Sequence, residues 1–122
     1  MTARTDDYDA IVRVMRLYIE AFNDIDVSKL KGAFDYDAWI FFIDADDRLH
    51  KHRISEDFEG WAAPPSWGVV GRFISVTQVG DAAAVQLSFD SEESSGWIDF
   101  HNLLRINGVW RITNETATHS SR

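Results

Sequence analysis

Apolar residues at Tyr8, Ile11, Val12, Met15, Tyr18, Ile19 and Phe22 recur at steps of three and four, so from Thr5 to Asn23 they share one face of a helix with 3.6 residues per turn. A stripe this wide has to be covered, and the remaining chain must supply the covering surface. Thr5, Asp6 or Asp7 can cap the helix, because a short side-chain oxygen satisfies free backbone N–H groups and acidic charge suits the positive dipole end. Asn23 and Asp24 read as its stop. At about 1.5 Å per residue the helix is roughly 25 Å long, enough to lie across a whole sheet. It carries one polar group, the Tyr18 phenol, into its apolar stripe.

Met1 to Arg4 reads as a frayed end. Beyond the first helix, Asp26 to Phe34 has the spacing of a short second helix, with Asp26 or Ser28 as cap and Val27, Leu30, Ala33 and Phe34 on one face. Ala38 to Asp44 is too β-branched and aromatic to continue it and predicts a strand buried on both faces. An Asp46-Asp47 turn and a return strand from Leu49 to Arg53 follow. Ser55 caps a third helix carrying Phe58 and Trp61, and Pro64-Pro65 starts a loop.

After Trp67 the period changes to two. Arg72 to Val79 and Ala82 to Phe89 flank Gly80-Asp81, a two-residue hairpin turn with positive φ at its first position. This register pairs Val76 with Val85 and Ile74 with Leu87, and sends Phe73, Ser75, Thr77, Gln86 and Ser88 to the other face. Ser91 to Gly96 is a polar loop. Trp97 to Ile106 and Val109 to Ala117 form a second hairpin around Asn107-Gly108. A three-residue loop with Gly108 in a left-handed bulge gathers Ile98, Phe100, Leu104, Trp110 and Ile112 on one face, pairing Leu104 with Trp110, Asn102 with Ile112 and Phe100 with Asn114. It also sets Asp99 opposite Glu115, two like charges.

At 122 residues the chain is expected to form one domain, residues 1–122 with an ordered core from about 6 to 117, large enough to need neither disulfide nor structural metal. It has no cysteine, which excludes thiol catalysis and thiolate-bound zinc. A formal net charge of −8 argues against nucleic acid, whose phosphates demand a basic face. No stretch resembles a signal peptide or a membrane span, so a cytoplasmic protein is expected.

Helix, short helix, short hairpin, third helix and a long meander ending in Leu103-Leu104-Arg105-Ile106-Asn107-Gly108-Val109-Trp110-Arg111-Ile112 resembles the nuclear transport factor two-like superfamily. That fold is an α+β, cystatin-like cone in which a curved antiparallel sheet wraps the first helix. Within the superfamily, the SnoaL-like and putative lumazine-binding branch is the nearest in pattern over roughly Asp6 to Thr116. Leu17 to Phe22 and Trp110 to Asn114 carry the likeness as well. The superfamily includes isomerases, dehydratases and cyclases beside proteins without turnover, so function has to be argued from the site.

The resemblance implies a pocket between the first helix and the sheet, holding a small hydrophobic organic molecule without metal or other cofactor. Phe42, Arg72, Phe89, Phe100, Asn102, Trp110 and Asn114 are expected to line it with Tyr18. The resemblance to ketosteroid isomerase places Tyr18 where that enzyme has an oxyanion-binding tyrosine, and Asn102 where it has a protonated aspartic acid. Phe42 falls where it has its proton-transferring carboxylate, and a phenyl ring takes no proton. Asp44, two residues on and on the same strand face, is the nearest substitute, so Asp44, Tyr18 and Asn102 form the catalytic candidates. His50 and His52 alternate on one strand without a third metal ligand nearby. His101 is expected on the outer face, and His119 near the terminus has little claim to a role. The resemblance also implies a homodimer through the outer sheet face, to which alternation assigns Phe73, Trp97 and Leu103.

Overall fold

A computed structural model describes residues 5–60, 68–91 and 95–120. The expectations for Met1 to Arg4, Trp61, Pro64, Pro65 and Trp67, and for the capping side chains of Thr5 and Asp6, lie outside the described residues. The first helix, α1 (Thr5–Asp24), buries Ile11, Met15, Tyr18 and Ala21, while Tyr8 is exposed. Asn23 does more than mark the helix end: its amide accepts from the Val69 N–H and donates to the Val69 carbonyl, fastening the end of α1 to the start of a strand. Ile25 turns the chain with φ 51, and Asp26 then caps α2 (Val27–Ala33) by accepting from the Ser28 N–H.

β1 (Phe34–Ile43) begins with no linker after α2. The strand expected from Ala38 thus starts four residues earlier, and Phe34, expected on the α2 face, is its first residue and pairs with Ile112. β2 (Leu49–Arg53) returns antiparallel to β1, and α3 (Ile54–Gly60) follows. β3 (Val70–Val79), β4 (Ala82–Asp90), β5 (Trp97–Ile106) and β6 (Val109–His119) form the expected antiparallel meander. β1 lies parallel to β6, giving one sheet in the order β2-β1-β6-β5-β4-β3. The result is the expected α+β architecture, with the apolar stripe of α1 packed on one sheet face. Among the described residues, no helix is long and apolar enough to cross a membrane.

Two register expectations are corrected. In β3 Val76 pairs with Val85 as expected, but a bulge between Phe73 and Ser75 makes Phe73 the partner of Leu87. Phe73 therefore packs against the core and Ile74 is exposed. In the second hairpin Asn107 and Gly108 have φ 51 and 81 and form a two-residue turn, the mirror-image type that Asn-Gly favours. Ile106 faces Val109, and Leu103 faces Ile112. The bulge expected at Gly108 occurs further on, between Asn102 and Leu103, so that Asn102 pairs with Asn114 and His101 with Glu115.

Because side chains alternate along a strand, this one-residue change turns β5 over. Asp99, His101 and Leu103 point into the molecule and are buried, whereas Phe100, Asn102 and Leu104 are exposed on the other face. Arg105 reaches back to Asp7 at the start of α1 (2.6 Å) and to Asp81 in the β3–β4 turn (2.7 Å).

Candidate functional site

β1, β4, β5 and β6 meet the middle of α1 around a cavity of about 410 Å³. Ile40, Phe42, Phe89, Trp97 and Ala117 make its apolar walls, and Ser91, Tyr18, Asp99 and Glu115 supply its polar atoms. Alternation explains the set. Ile40 and Phe42 lie beside Glu115 and Ala117 across the β1–β6 pairing, and Asp99 faces Ala117 across β5–β6. All these side chains emerge on the face that α1 covers.

Tyr18, on the buried stripe of α1, donates its hydroxyl proton to Asp99 Oδ2 at 3.2 Å. Its ring lies edge-on to His101, with centroids 4.9 Å apart, and to Phe22 and Phe34. His101 Nε2 is 2.6 Å from Glu115 Oε1, and an ionised carboxylate, having only acceptors, takes the N–H. His101 Nδ1 is buried with no hydrogen-bond partner among the described residues. The Nε2–H tautomer leaves only a lone pair there, less costly than an unpaired N–H.

Asp99 is 4 % exposed. Burial, and next the charge of Glu115, push its carboxyl up to about 7, against the pull of His101 and of the Tyr18 hydrogen bond. Burial, then Asp99 and Glu115, raise the Tyr18 phenol well above its usual range as well. Near neutrality the site therefore holds a neutral phenol that can donate and a carboxyl that is part acid, part base. The ligand atoms of Asp99, His101 and Glu115 lie within 4.8 Å of one another, so among the described residues these side chains could hold a metal ion. Their present partners are hydrogen bonds instead.

Of the residues expected at a pocket, Tyr18, Phe42 and Phe89 line this one. Asn102 does not: it is exposed on the opposite face, paired with Ala84 and Asn114. Phe100 and Asn114 lie on that same face by alternation. Trp110 is buried at the other end of the sheet, beneath the Arg105 guanidinium and beside Ala10 and Val14. Arg72 is exposed, 3.8 Å from Asp90. Asp44 is engaged by its own turn, accepting from the Asp46 and Arg48 N–H groups, with His50 Nε2 at 2.7 Å from its other oxygen. Those bonds hold it below the usual carboxylate range, which suits a structural cap better than a base. His50 also stacks on Phe42, and His52 pairs with Asp57. Asp99, His101 and Glu115 were legible only as a warning, since the like-charge pair of Asp99 and Glu115 in the expected register marked that register as wrong.

The model of the family described as "Putative lumazine-binding" matches residues 6–116. Similar solved structures include a protein of unknown function from Shewanella baltica OS155, 26 % identical over 97 % of both chains with a TM-score of 0.85. A second, from Methylobacillus flagellatus KT, is 25 % identical over 95 % of this chain and 94 % of its own, with a TM-score of 0.82. A third, from Silicibacter pomeroyi DSS-3, is 19 % identical over 97 % and 99 %, also with a TM-score of 0.82. All three are described as nuclear transport factor two-like. No curated protein matches the chain.

Proposed function

The chain belongs to the putative lumazine-binding family of the nuclear transport factor two-like superfamily, and we propose that it binds a flat, hydrophobic organic molecule bearing a carbonyl, enol or phenol oxygen. One observation carries this reading: the Tyr18 hydroxyl and the Asp99 carboxyl, both on buried residues, meet in a pocket whose remaining walls, Ser91 and Glu115 apart, are aliphatic and aromatic. A cavity of about 410 Å³ falls in the usual range for small-molecule sites, which are mostly apolar with a few convergent polar groups. Phe42, Phe89 and Trp97 offer ring surfaces to a planar ligand. On binding, the Tyr18 O–H turns from Asp99 Oδ2 to the ligand oxygen, which also receives a hydrogen bond from the protonated form of Asp99, a carboxylic acid kept neutral so that it can donate. The resemblance to ketosteroid isomerase expected such an acid at the place given to Asn102, and in this reading Asp99 supplies it. Lumazine, named in the family's description, is a flat two-ring dione and so of this chemical kind.

Titration of lumazine and of 2-naphthol into the protein at pH 6, followed by ligand fluorescence, tests the reading. Each hydrogen bond contributes about 1 kcal/mol net, so Tyr18→Phe and Asp99→Ala are each expected to weaken binding of at least one probe by roughly fivefold to tenfold. Asn102→Ala should leave it unchanged. Equal affinity in all four proteins, or no binding of either probe by the native chain, would contradict the reading.

The outer sheet face supports pairing of two copies. Val79, Phe100 and Leu104 are large apolar residues exposed there, in place of Phe73, Trp97 and Leu103, which the corrected register turns inward. Exposed apolar surface of this kind commonly marks a protein contact. Sedimentation at high micromolar concentration should give a dimer mass, and Phe100→Glu should lower it. A monomeric native chain would count against the pairing.

A further inference from the structure

A second cavity lies apart from the pocket of Tyr18 and Asp99 and shares no lining residue with it. It is a groove of about 420 Å³ between α1 and the turn that joins β5 to β6. Ala10, Val14 and Leu17 recur at steps of four and three, so they form one ridge of α1, rising about 10 Å along it. Val109 and Trp110 supply the opposite wall. Where the first pocket offers rings to its ligand, most of the apolar surface of this groove is aliphatic.

The polar groups around the groove suit an anion. Arg13 and Arg16 stand exposed along it. The Arg16 guanidinium lies 5.5 Å from the centre of the Phe73 ring, and that of Arg13 has no ion-pair or hydrogen-bond partner among the described residues. Glu20 lines the groove as well, but its carboxylate is engaged by Lys29 Nζ at 3.3 Å. Trp110 is 4 % exposed, and its Nε1 is buried without a hydrogen-bond partner among the described residues. A buried N–H normally has an acceptor, because leaving one unpaired is costly. In a chain with a formal net charge of −8, a free guanidinium in the same groove as an unpaired donor marks a place that favours a negative ligand.

We propose that this groove binds a medium-chain alkyl carboxylate, its head group held by Arg13 and the Trp110 N–H and its chain lying on Ala10, Val14 and Leu17. The inference goes beyond the reading of the first pocket and requires neither Tyr18 nor Asp99. A planar guanidinium meets a carboxylate with two parallel N–H bonds, so Arg13 supplies both charge and direction. Arg16, three residues on and on the same side of α1, adds charge. The Trp110 N–H lies below the surface, so its ring tilts as the anion enters, and the open space beside Gly108 lets the turn follow. The aliphatic ridge decides against a bare anion such as phosphate. Each methylene laid on Val14 and Leu17 adds to affinity in proportion to the area it removes from water.

Titration of decanoate into the nitrogen-15-labelled protein, followed by amide and indole NMR signals, tests the inference, with affinities measured by calorimetry on the same samples. The amides of Gly108 and Val109 should shift, and the Trp110 indole N–H should move downfield as it gains an acceptor. Arg13→Gln, a change at an exposed position, should weaken binding by about tenfold or more, and Arg16→Gln by less. Decanol, which has the chain without the charge, should bind at least about tenfold more weakly than decanoate. Acetate, which has the charge without the chain, should not bind measurably. Decanol binding as tightly as decanoate, or undiminished binding by Arg13→Gln, would overturn the inference. So would a Trp110 indole signal that stays in place, or absence of decanoate binding by the native chain. Shifts confined to Trp97 and Ala117 would put decanoate in the first pocket and overturn it as well.

Discussion

Replacing Asp99 with asparagine should make the folded chain progressively more stable, relative to the native one, as the pH rises from 4 to 8. The sign follows from proton counting. An unfolded aspartic acid gives up its proton near 4, whereas the folded Asp99 holds it to about 7. Between those values the folded state binds more protons than the unfolded state, so stability falls with rising pH. The contribution of Asp99 is fully present below about 4 and is lost as the pH passes through about 7. A shift from 3.8 to about 7 corresponds to a change on the order of 4 kcal/mol across the window. Other carboxylates and the histidines also titrate, but the Asp99→Asn exchange keeps the shape of the site, and the difference between the two proteins reports Asp99 together with the neighbours its charge acts on. Chemical denaturation at several pH values gives that difference directly. Parallel stability curves would mean that Asp99 is an ordinary ionised carboxylate.

The second large effect concerns the strand that delivers Asp99 to the pocket. Leu103 is 1 % exposed and packed in the core, whereas Leu104 is 44 % exposed. Leu103→Ala should therefore cost about 2–5 kcal/mol, the range for emptying a well-packed core site, and Leu104→Ala within about 0.5 kcal/mol. Urea unfolding of the two variants reads the register of β5 without any ligand. A reversed order would put Asn102 back in the pocket and Asp99 outside it.

That comparison also shows where the sequence was legible. The 3.6-residue period of α1 and the turn residues of both hairpins located nearly every element, because each depends on local chemistry that one stretch contains. The faces of β5 did not yield to the same reasoning. Ile98, Phe100 and Leu104 form a more apolar alternate set than Asp99, His101 and Leu103, so a rule that sends apolar residues inward selects the wrong face wherever the interior is a polar site. Asn107-Gly108 carried the better information, since this dipeptide favours a two-residue turn and that turn alone directs Leu103 toward Ile112. The bulge between Asn102 and Leu103 had no such marker. Together with the two-residue turn it brings Glu115 opposite His101 rather than Asp99, replacing a repulsive pair with a hydrogen-bonded one. Phe73 escaped for a similar reason, because the bulge before Ser75 breaks a period of two that its neighbours otherwise keep.

Phe42 and Tyr18 both line the cavity, and each sits in a locally regular pattern, the Ala38 to Phe42 alternation of β1 and the apolar stripe of α1. The candidates that failed, Asn102, Phe100 and Asn114 among them, all depended on the β5–β6 register. Arg72 and Asp44 failed on reach: one is an exposed side chain near Asp90, the other a turn cap.

Whether Asp99 is the neutral donor at the end of the pocket can be read from carbon-13 NMR of the protein labelled at aspartate carboxyl carbons, titrated from pH 3 to 9 with and without 2-naphthol and assigned with Asp99→Asn. The Asp99 signal should titrate with a midpoint near 7 in the free protein, and bound naphthol should move that midpoint upward, because the ligand oxygen accepts from the acid form. A midpoint near 4, unmoved by the ligand, would contradict that role for Asp99.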